Sequence, residues 1–165
     1  MRFFKRLPRT APGRFARSER GTQLVELAIV LPVLLLLLAT TAEFARFFHT
    51  YTTLAKATRS AARYLTTAPV DGSDDEKARN LVVYGSTVAE GDPLVHGLTT
   101  LQVSIVREGG AASAGMYERV TVEIDGYNYQ PIFDPGAFIG NDHASLNVEV
   151  SPKTSMRFMT TTAGS

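Results

Sequence analysis

The chain has no cysteine and no tryptophan, and it lacks the short motifs that mark common enzymes. Without cysteine there is no disulfide framework, thiol nucleophile or thiolate metal site. No two of the three histidines, His49, His96 and His143, have the spacing of metal ligands. The sequence contains no G-x-S-x-G elbow, phosphate loop or dinucleotide fingerprint. We therefore expect no catalytic residue, no cofactor and no metal, and a protein that is not an enzyme.

Negative charge is scarce in the first 21 residues. They carry seven basic residues and one acidic residue, a net charge of +6, whereas the remaining residues carry a net charge of −5. Pro8, Pro12 and Gly13 discourage a helix there, so residues 1–21 are predicted to form an unstructured basic leader. If the leader is removed, an acidic product remains, which argues against a nucleic-acid partner.

Only one apolar run is long enough to cross a membrane. Residues 22–42 contain a single charge, and as a helix they would span about 31 Å, enough for a hydrocarbon core of about 30 Å. The basic flank precedes the run, so the N-terminus is predicted in the cytoplasm and the C-terminal part outside the inner membrane. The run continues into a second helical pattern rather than an A-x-A-like cleavage site, so we expect it to be retained.

The single charge in this run is Glu26, five residues after Gly21. A charge within a membrane helix costs about 2.5–3.5 kcal/mol on insertion scales, which favours a functional role. Glycine can extend into a peptidase cleft without a side-chain clash. A cut between Gly21 and Thr22 would create a new amine, which the Glu26 carboxylate of a neighbouring subunit could pair with. The alternative is that the span starts at Leu27 and Glu26 lies at the interface.

One long helix is predicted from residue 22 to about residue 66. Its first half is apolar on all sides, and Pro32 should kink or loosen it because the ring removes one backbone hydrogen bond. Its second half is amphipathic, with apolar residues at helical spacing from Phe44 to Leu65. This helix is therefore predicted to pass from lipid into a protein core.

Alternating apolar and polar residues predict three strands, at residues 101–105, 120–124 and 146–150. Met156 and Phe158 suggest a short fourth strand. The apolar face of such a sheet needs a cover, and the amphipathic half of the long helix is the largest one available. The predicted fold class is α+β, with a long N-terminal helix packed on a small antiparallel sheet of three to four strands.

Two loops leave alternatives open. The acidic residues of segment 71–76 lack EF-hand spacing, so a solvated loop that caps a following short helix is favoured over a calcium site. Phe133 and Phe138 flank an Asp-Pro-Gly turn. Packing against the core is favoured for them over an exposed contact with a neighbouring subunit.

Several segments resemble the TadE-like pseudopilins of the tight-adherence (Flp) pilus system. The strongest is Glu-Leu-Ala-Ile-Val-Leu-Pro followed by a leucine-rich run, residues 26–36. Further similar segments are residues 43–46, 55–64, 120–124 with Tyr127, Tyr129 and Pro131, and 155–157. The sequence departs from the pattern at Leu27, where the family often has an aromatic residue, and at Thr22, where mature pilins often begin with Phe or Met.

The resemblance implies a pilin-like fold and a minor subunit in the biogenesis or assembly of a tight-adherence pilus of the type IVb/c kind. Prepilin peptidase would remove residues 1–21, leaving a fibre-core helix at 22–42, an extracytoplasmic domain at 43–160 and a tail at 161–165. Implied partners are that peptidase, other minor pseudopilins, the major Flp pilin, an inner-membrane assembly platform and membrane lipid. The alternatives are an uncleaved single-pass membrane protein with a binding domain, or a type II secretion pseudopilin.

Overall fold

The computed structural model describes residues 19–109, 117–141, 143 and 145–158, so the predicted tail and most of the predicted leader lie outside the described residues. In chain order the elements are α1 (Glu19–Leu65), α2 (Asp75–Tyr84), β1 (Val103–Glu108), β2 (Arg119–Ile124), α3 (Pro135–Ile139) and β3 (Lys153–Arg157). A 3-10 turn, Thr100–Gln102, precedes β1. Helix α1 begins three residues before its predicted start at residue 22.

The three strands form one antiparallel sheet in the order β1-β2-β3. Val103 pairs with Ile124 across the first ladder, and Val120 pairs with Met156 across the second. Together with the long helix, this sheet confirms the predicted α+β class and the predicted number of strands.

Contacts divide the chain into two compact units, with the boundary between Ala39 and Thr40. The second unit holds the C-terminal part of α1, both short helices and the sheet. The domain limits predicted at residues 21, 42 and 160 stay predictions.

The core of the second unit forms between the amphipathic part of α1, helix α2 and one face of the sheet. Leu54 and Leu65 of α1 are almost completely buried there. They belong to a cluster with Ala61, Ala62, Val82, Val83, Val120, Val122 and Ile124. The Thr58 and Thr154 hydroxyls, 3.2 Å apart, link α1 to β3. From Leu54 onward the predicted apolar face of the helix is therefore its core face. Phe44, Phe48 and Tyr51, predicted on the same face, are instead exposed at 44%, 61% and 45%.

The third predicted strand is wrong. Residues 146–150 make only an isolated bridge, between Asn128 and Glu149, and the strand that completes the sheet is β3. The backbone of Leu146 is instead held by the carboxylate of Asp134, which also accepts a 2.7 Å hydrogen bond from Ser145 and caps α3. Segment 146–150 therefore lies beside the residues that follow β2, through hydrogen bonds from Tyr129 N–H to the Val148 carbonyl and from Val150 N–H to the Tyr127 carbonyl, and outside the three-stranded sheet.

Leu101 also departs from its predicted place on the buried face, because it is 97% exposed. The Thr99 backbone N–H donates to the Gln102 side chain at 2.9 Å, in a capping box that closes the 3-10 turn. The alternation of apolar and polar residues thus begins at Leu101, two residues before β1 begins at Val103.

The acidic loop leads into α2, as predicted, but the side chain of the N-cap residue Asp74 makes no capping hydrogen bond, so the predicted cap is wrong. The carboxylates here are engaged by cations: Asp74 pairs with Lys77 at 2.7 Å, and Asp75 makes a two-armed ion pair with Arg107 of β1. Gly85 ends the helix in the left-handed conformation, with φ of 71°. The Arg107 pair ties this loop to the sheet.

Candidate functional site

The predicted processing residues Gly21, Thr22 and Glu26 all lie in α1, and all are exposed. In a helix, residues four apart are neighbours on one face. Thr22 and Glu26 therefore share one side of α1. A new amine at Thr22 would lie one turn from the carboxylate of the same chain.

Pro32 lies inside α1, and the helix continues through it. Since proline has no backbone N–H, the Ala28 carbonyl lacks the helical donor that it would otherwise have. A kink at Pro32 stays a prediction.

Helix α1 is the one helix of the described residues that is long and apolar enough to cross a membrane. None of the residues in its most apolar stretch is buried. Leu24, Ile29 and Leu38 each expose about two thirds of their surface, at 66%, 67% and 66%. Exposed apolar surface on this scale indicates a membrane or other apolar partners around the helix.

A second site lies at Glu43, whose side chain is only 3% exposed. Its carboxylate accepts hydrogen bonds from the Tyr129 hydroxyl at 2.6 Å and from the backbone N–H groups of Ile132 at 3.2 Å and Phe133 at 3.3 Å. Arg46 completes the set from the next turn of α1, with its Nη1 at 2.9 Å. We call Glu43 and these four donors the carboxylate anchor.

In the carboxylate anchor, hydrogen bonds and the charge of Arg46 offset the cost of burying the Glu43 carboxylate. Burying an ionised carboxylate is costly unless it is paired and its oxygens are hydrogen-bonded, and here a guanidinium and three other donors meet that condition. Burial, followed by the hydrogen bond to Glu43 and the charge of that carboxylate, raises the pKa of Tyr129 to about 12. The Phe47 ring packs edge-on against Tyr129 with centroids 5.3 Å apart.

The anchor attaches the segment after β2 to α1. It holds Ile132 at the surface, where this side chain is 82% exposed. Beside it lies a cleft of about 490 Å³, and His49 and His96 both contribute to its wall. Among the described residues, no group of three or more His, Asp or Glu side chains is placed to hold a metal ion.

The sequence analysis named Glu43 only within segment 43–46, which resembles TadE-like pseudopilins, and did not predict that its carboxylate is buried and hydrogen-bonded. A signal was present, because Glu43 directly follows the apolar run and has Arg46 three residues later. A charge pair at that spacing marks one helix face. The other donors, the Tyr129 hydroxyl and the backbone N–H groups of Ile132 and Phe133, lie 86 to 90 residues later in the chain. No local sequence pattern predicts that they contact Glu43.

Residues 21–63 match the family model described as TadE-like protein. This match covers Gly21, Thr22, Glu26, Pro32 and Glu43, and it confirms the resemblance found in the sequence. Comparisons with curated proteins and with solved structures find no match. The family match therefore lies within α1 and does not include any strand of the sheet.

The carboxylate anchor is expected to stabilise the second unit. Glu43→Gln and Tyr129→Phe should each lower the free energy of unfolding by about 1–3 kcal/mol, because a buried group loses its partner. Since the two side chains touch, the double variant should lose less than the sum, with a coupling of at least about 0.5 kcal/mol. Denaturant titration of the full chain in detergent, followed by circular dichroism, measures all three values.

Glu90→Gln is the matched control for this cycle, because Glu90 is exposed. It should change the free energy of unfolding by no more than about 0.5 kcal/mol. Strictly additive effects at Glu43 and Tyr129, or an effect of Glu43→Gln no larger than the control, would contradict a stabilising anchor.

The raised pKa of Tyr129 predicts a loss of stability at alkaline pH. Below the ordinary tyrosine pKa of 10.0 the phenol is protonated in both states, and the contribution is fully present. Between pH 10.0 and about 12 the unfolded tyrosine has ionised while the folded one keeps its proton, so stability falls as pH rises. Unfolding curves across this window should fall less steeply for Tyr129→Phe than for the unmodified chain. Parallel curves would show that Tyr129 does not titrate differently on folding.

Proposed function

We propose that this chain, which matches TadE-like proteins over residues 21–63, is a minor pilin-like subunit in the biogenesis of a tight-adherence pilus. One observation carries the proposal: the matched segment is the same helix that exposes a membrane-length apolar surface. The family match supports a pilus-related function. The proposed role is structural rather than enzymatic, and the support for it is the family match.

In the proposed pathway, prepilin peptidase cuts between Gly21 and Thr22 and releases the basic leader. The support is chemical: a glycine precedes the bond, seven basic residues precede the apolar run, and the bond lies at the start of that run. Residues 22–42 then serve as the membrane anchor and, on assembly, as a fibre-core helix. Bending at Pro32 would help this helix to exchange lipid for protein neighbours.

Glu26 is proposed to guide recognition by the peptidase or pairing between subunits. It is exposed, and no described side chain forms an ion pair with it. After the cut, the Thr22 amine and the Glu26 carboxylate would lie on one helix face. A neighbouring subunit presents the same two charges, so each carboxylate can meet the other's amine and offset the cost of burial.

The proposed topology has a single pass through the inner membrane, with the N-terminus in the cytoplasm and residues 43–160 in the periplasm or, after assembly, on the pilus. The charge difference across the apolar run supports this orientation. The proposed partners are prepilin peptidase, other minor pseudopilins, the major Flp pilin and the assembly platform.

Processing is tested by the intact mass of the membrane-extracted protein, produced with and without a cognate prepilin peptidase. Loss of residues 1–21 is expected only when the peptidase is present. Gly21→Val should block the cut because a branched side chain obstructs the cleft, whereas the control Thr22→Ala keeps the glycine and should be cut. A full-length mass beside an active peptidase would favour an uncleaved, single-pass binding protein instead.

The role of Glu26 is tested by Glu26→Gln, which removes the charge and keeps the shape. We expect either an uncut leader, if Glu26 guides recognition, or normal cutting with loss of pili, if it pairs subunits. Leu24→Glu in the same variant moves the charge to the opposite helix face, since two residues turn about 200° around a helix, and it should not restore function. Normal cutting and normal pili in Glu26→Gln would refute both roles. A secretion defect beside intact pili would favour a type II secretion pseudopilin.

A further inference from the structure

A basic groove lies between the C-terminal part of α1 and strand β3. It encloses about 760 Å³, and its charged lining consists of Lys56, Arg59 and Arg63 from α1 and Arg157 from β3. We call this feature the basic groove. The three α1 residues follow the i, i+3, i+7 spacing of one helix face, so their charges line the groove together.

The positive charge of the basic groove is not balanced from within the described residues. All four cations are exposed, and the described carboxylates that form ion pairs, Glu43, Asp74 and Asp75, use other partners. The chain beyond its leader is nonetheless acidic, with a net charge of −5. A cluster of like charges costs free energy by mutual repulsion, and an anionic ligand would relieve it.

The second wall of the groove is an edge strand. In the order β1-β2-β3, the described residues give β3 a partner on one side only. Just after β3, the Phe158 N–H donates to the backbone carbonyl of Glu118, which directly precedes β2. This bond therefore also lies on the β2 side of β3 and leaves the other edge unused by the described residues. An edge strand offers a row of backbone donors and acceptors that an extended peptide can pair with. Met156 and Phe158 add apolar surface to the same wall.

We propose that the basic groove docks an extended acidic segment of a partner protein, which adds a strand to the edge of β3 and directs its carboxylates to Lys56, Arg59 and Arg63. A polypeptide is favoured over a lipid headgroup or a nucleic acid because only a polypeptide uses both the cations and the strand edge. In a strand, alternate side chains point to one face, so acidic residues at every second position would meet the helix. This proposal goes beyond subunit processing and does not depend on it.

The test uses the full chain in a zwitterionic detergent and a fluorescent seven-residue peptide that alternates glutamate and valine. Fluorescence anisotropy should show binding that weakens at least about tenfold when ionic strength rises from about 0.05 to 0.5 M, since salt screens exposed charges. The same peptide with alternate backbone amides methylated should bind about tenfold more weakly, because it cannot complete the strand ladder.

The variant Arg59→Gln with Arg63→Gln should lose about tenfold in peptide affinity, a difference expected when charge contacts are removed. The control Lys77→Gln with Arg119→Gln removes two exposed cations that neither line the basic groove nor belong to β3, and it should bind normally. Both variants keep the basic leader unchanged, and circular dichroism verifies that both are folded.

Three outcomes would overturn the proposal. The first is peptide binding that is absent, or equal in the two double variants. The second is that the chain binds anionic vesicles but not the peptide, and that vesicle binding weakens in the Arg59→Gln and Arg63→Gln variant. This result would assign the groove to a membrane surface. The third is self-association of the peptide-free chain, lost in the same variant on sedimentation, which would assign the groove to a second copy.

Discussion

The second compact unit depends on keeping one carboxylate charged in a place where water hardly reaches it. Glu43 is buried at the start of the amphipathic part of α1, and its oxygens take donors from its own helix and from the segment after β2. An apolar residue at this position would leave the Tyr129 hydroxyl and two backbone N–H groups without an acceptor, and such losses are expensive in a buried site. The helix and the far segment are therefore required to meet in one register.

Helix α1 carries two kinds of surface along one backbone. Its early turns expose nearly every leucine and valine, whereas Leu54, Ala61 and Leu65 are buried under the sheet. The two kinds follow from composition, since an apolar surface on all sides suits lipid or a bundle and a stripe suits one protein face. The family match runs across both kinds, from residue 21 to residue 63. What is similar to TadE-like proteins is thus the whole helix rather than its membrane-length part alone.

The sequence was most informative where local chemistry repeats. The long helix and β2 follow from periodicity, and each was predicted close to its observed position. It misled where alternation arose for another reason: Leu146 and Val148 alternate with polar residues, yet their backbone follows the Asp134 loop and the Tyr127 segment. Strand β3, Lys-Thr-Ser-Met-Arg, contains Met156 and confirms the short last strand that Met156 and Phe158 suggested. Its other residues are polar, so its bounds come from pairing with β2.

The candidate sites divide in the same way. Gly21 and Glu26 are conspicuous because a glycine and a charge border an apolar run, and such contrasts are local. The carboxylate anchor and the basic groove are not local, since each joins α1 to residues from the last third of the chain. Spacing within a helix can show that Lys56, Arg59 and Arg63 share a face. It cannot show that Arg157 stands opposite them.

The separation of these contacts along the chain also fixes an order of events during synthesis. The strands pair in chain order, so each ladder joins neighbours. Helix α1 contacts Tyr129, in the segment after β2, and Thr154 of β3, which lie 86 and 96 residues beyond their partners in the helix. When the ribosome has completed α1, neither Tyr129 nor Thr154 has yet been synthesised, so the helix can make neither contact. Strand β3 therefore cannot cover its part of the apolar stripe until residue 154 has emerged. Until then part of the stripe is exposed, and exposed apolar surface of this kind is where aggregation begins and where a chaperone can bind.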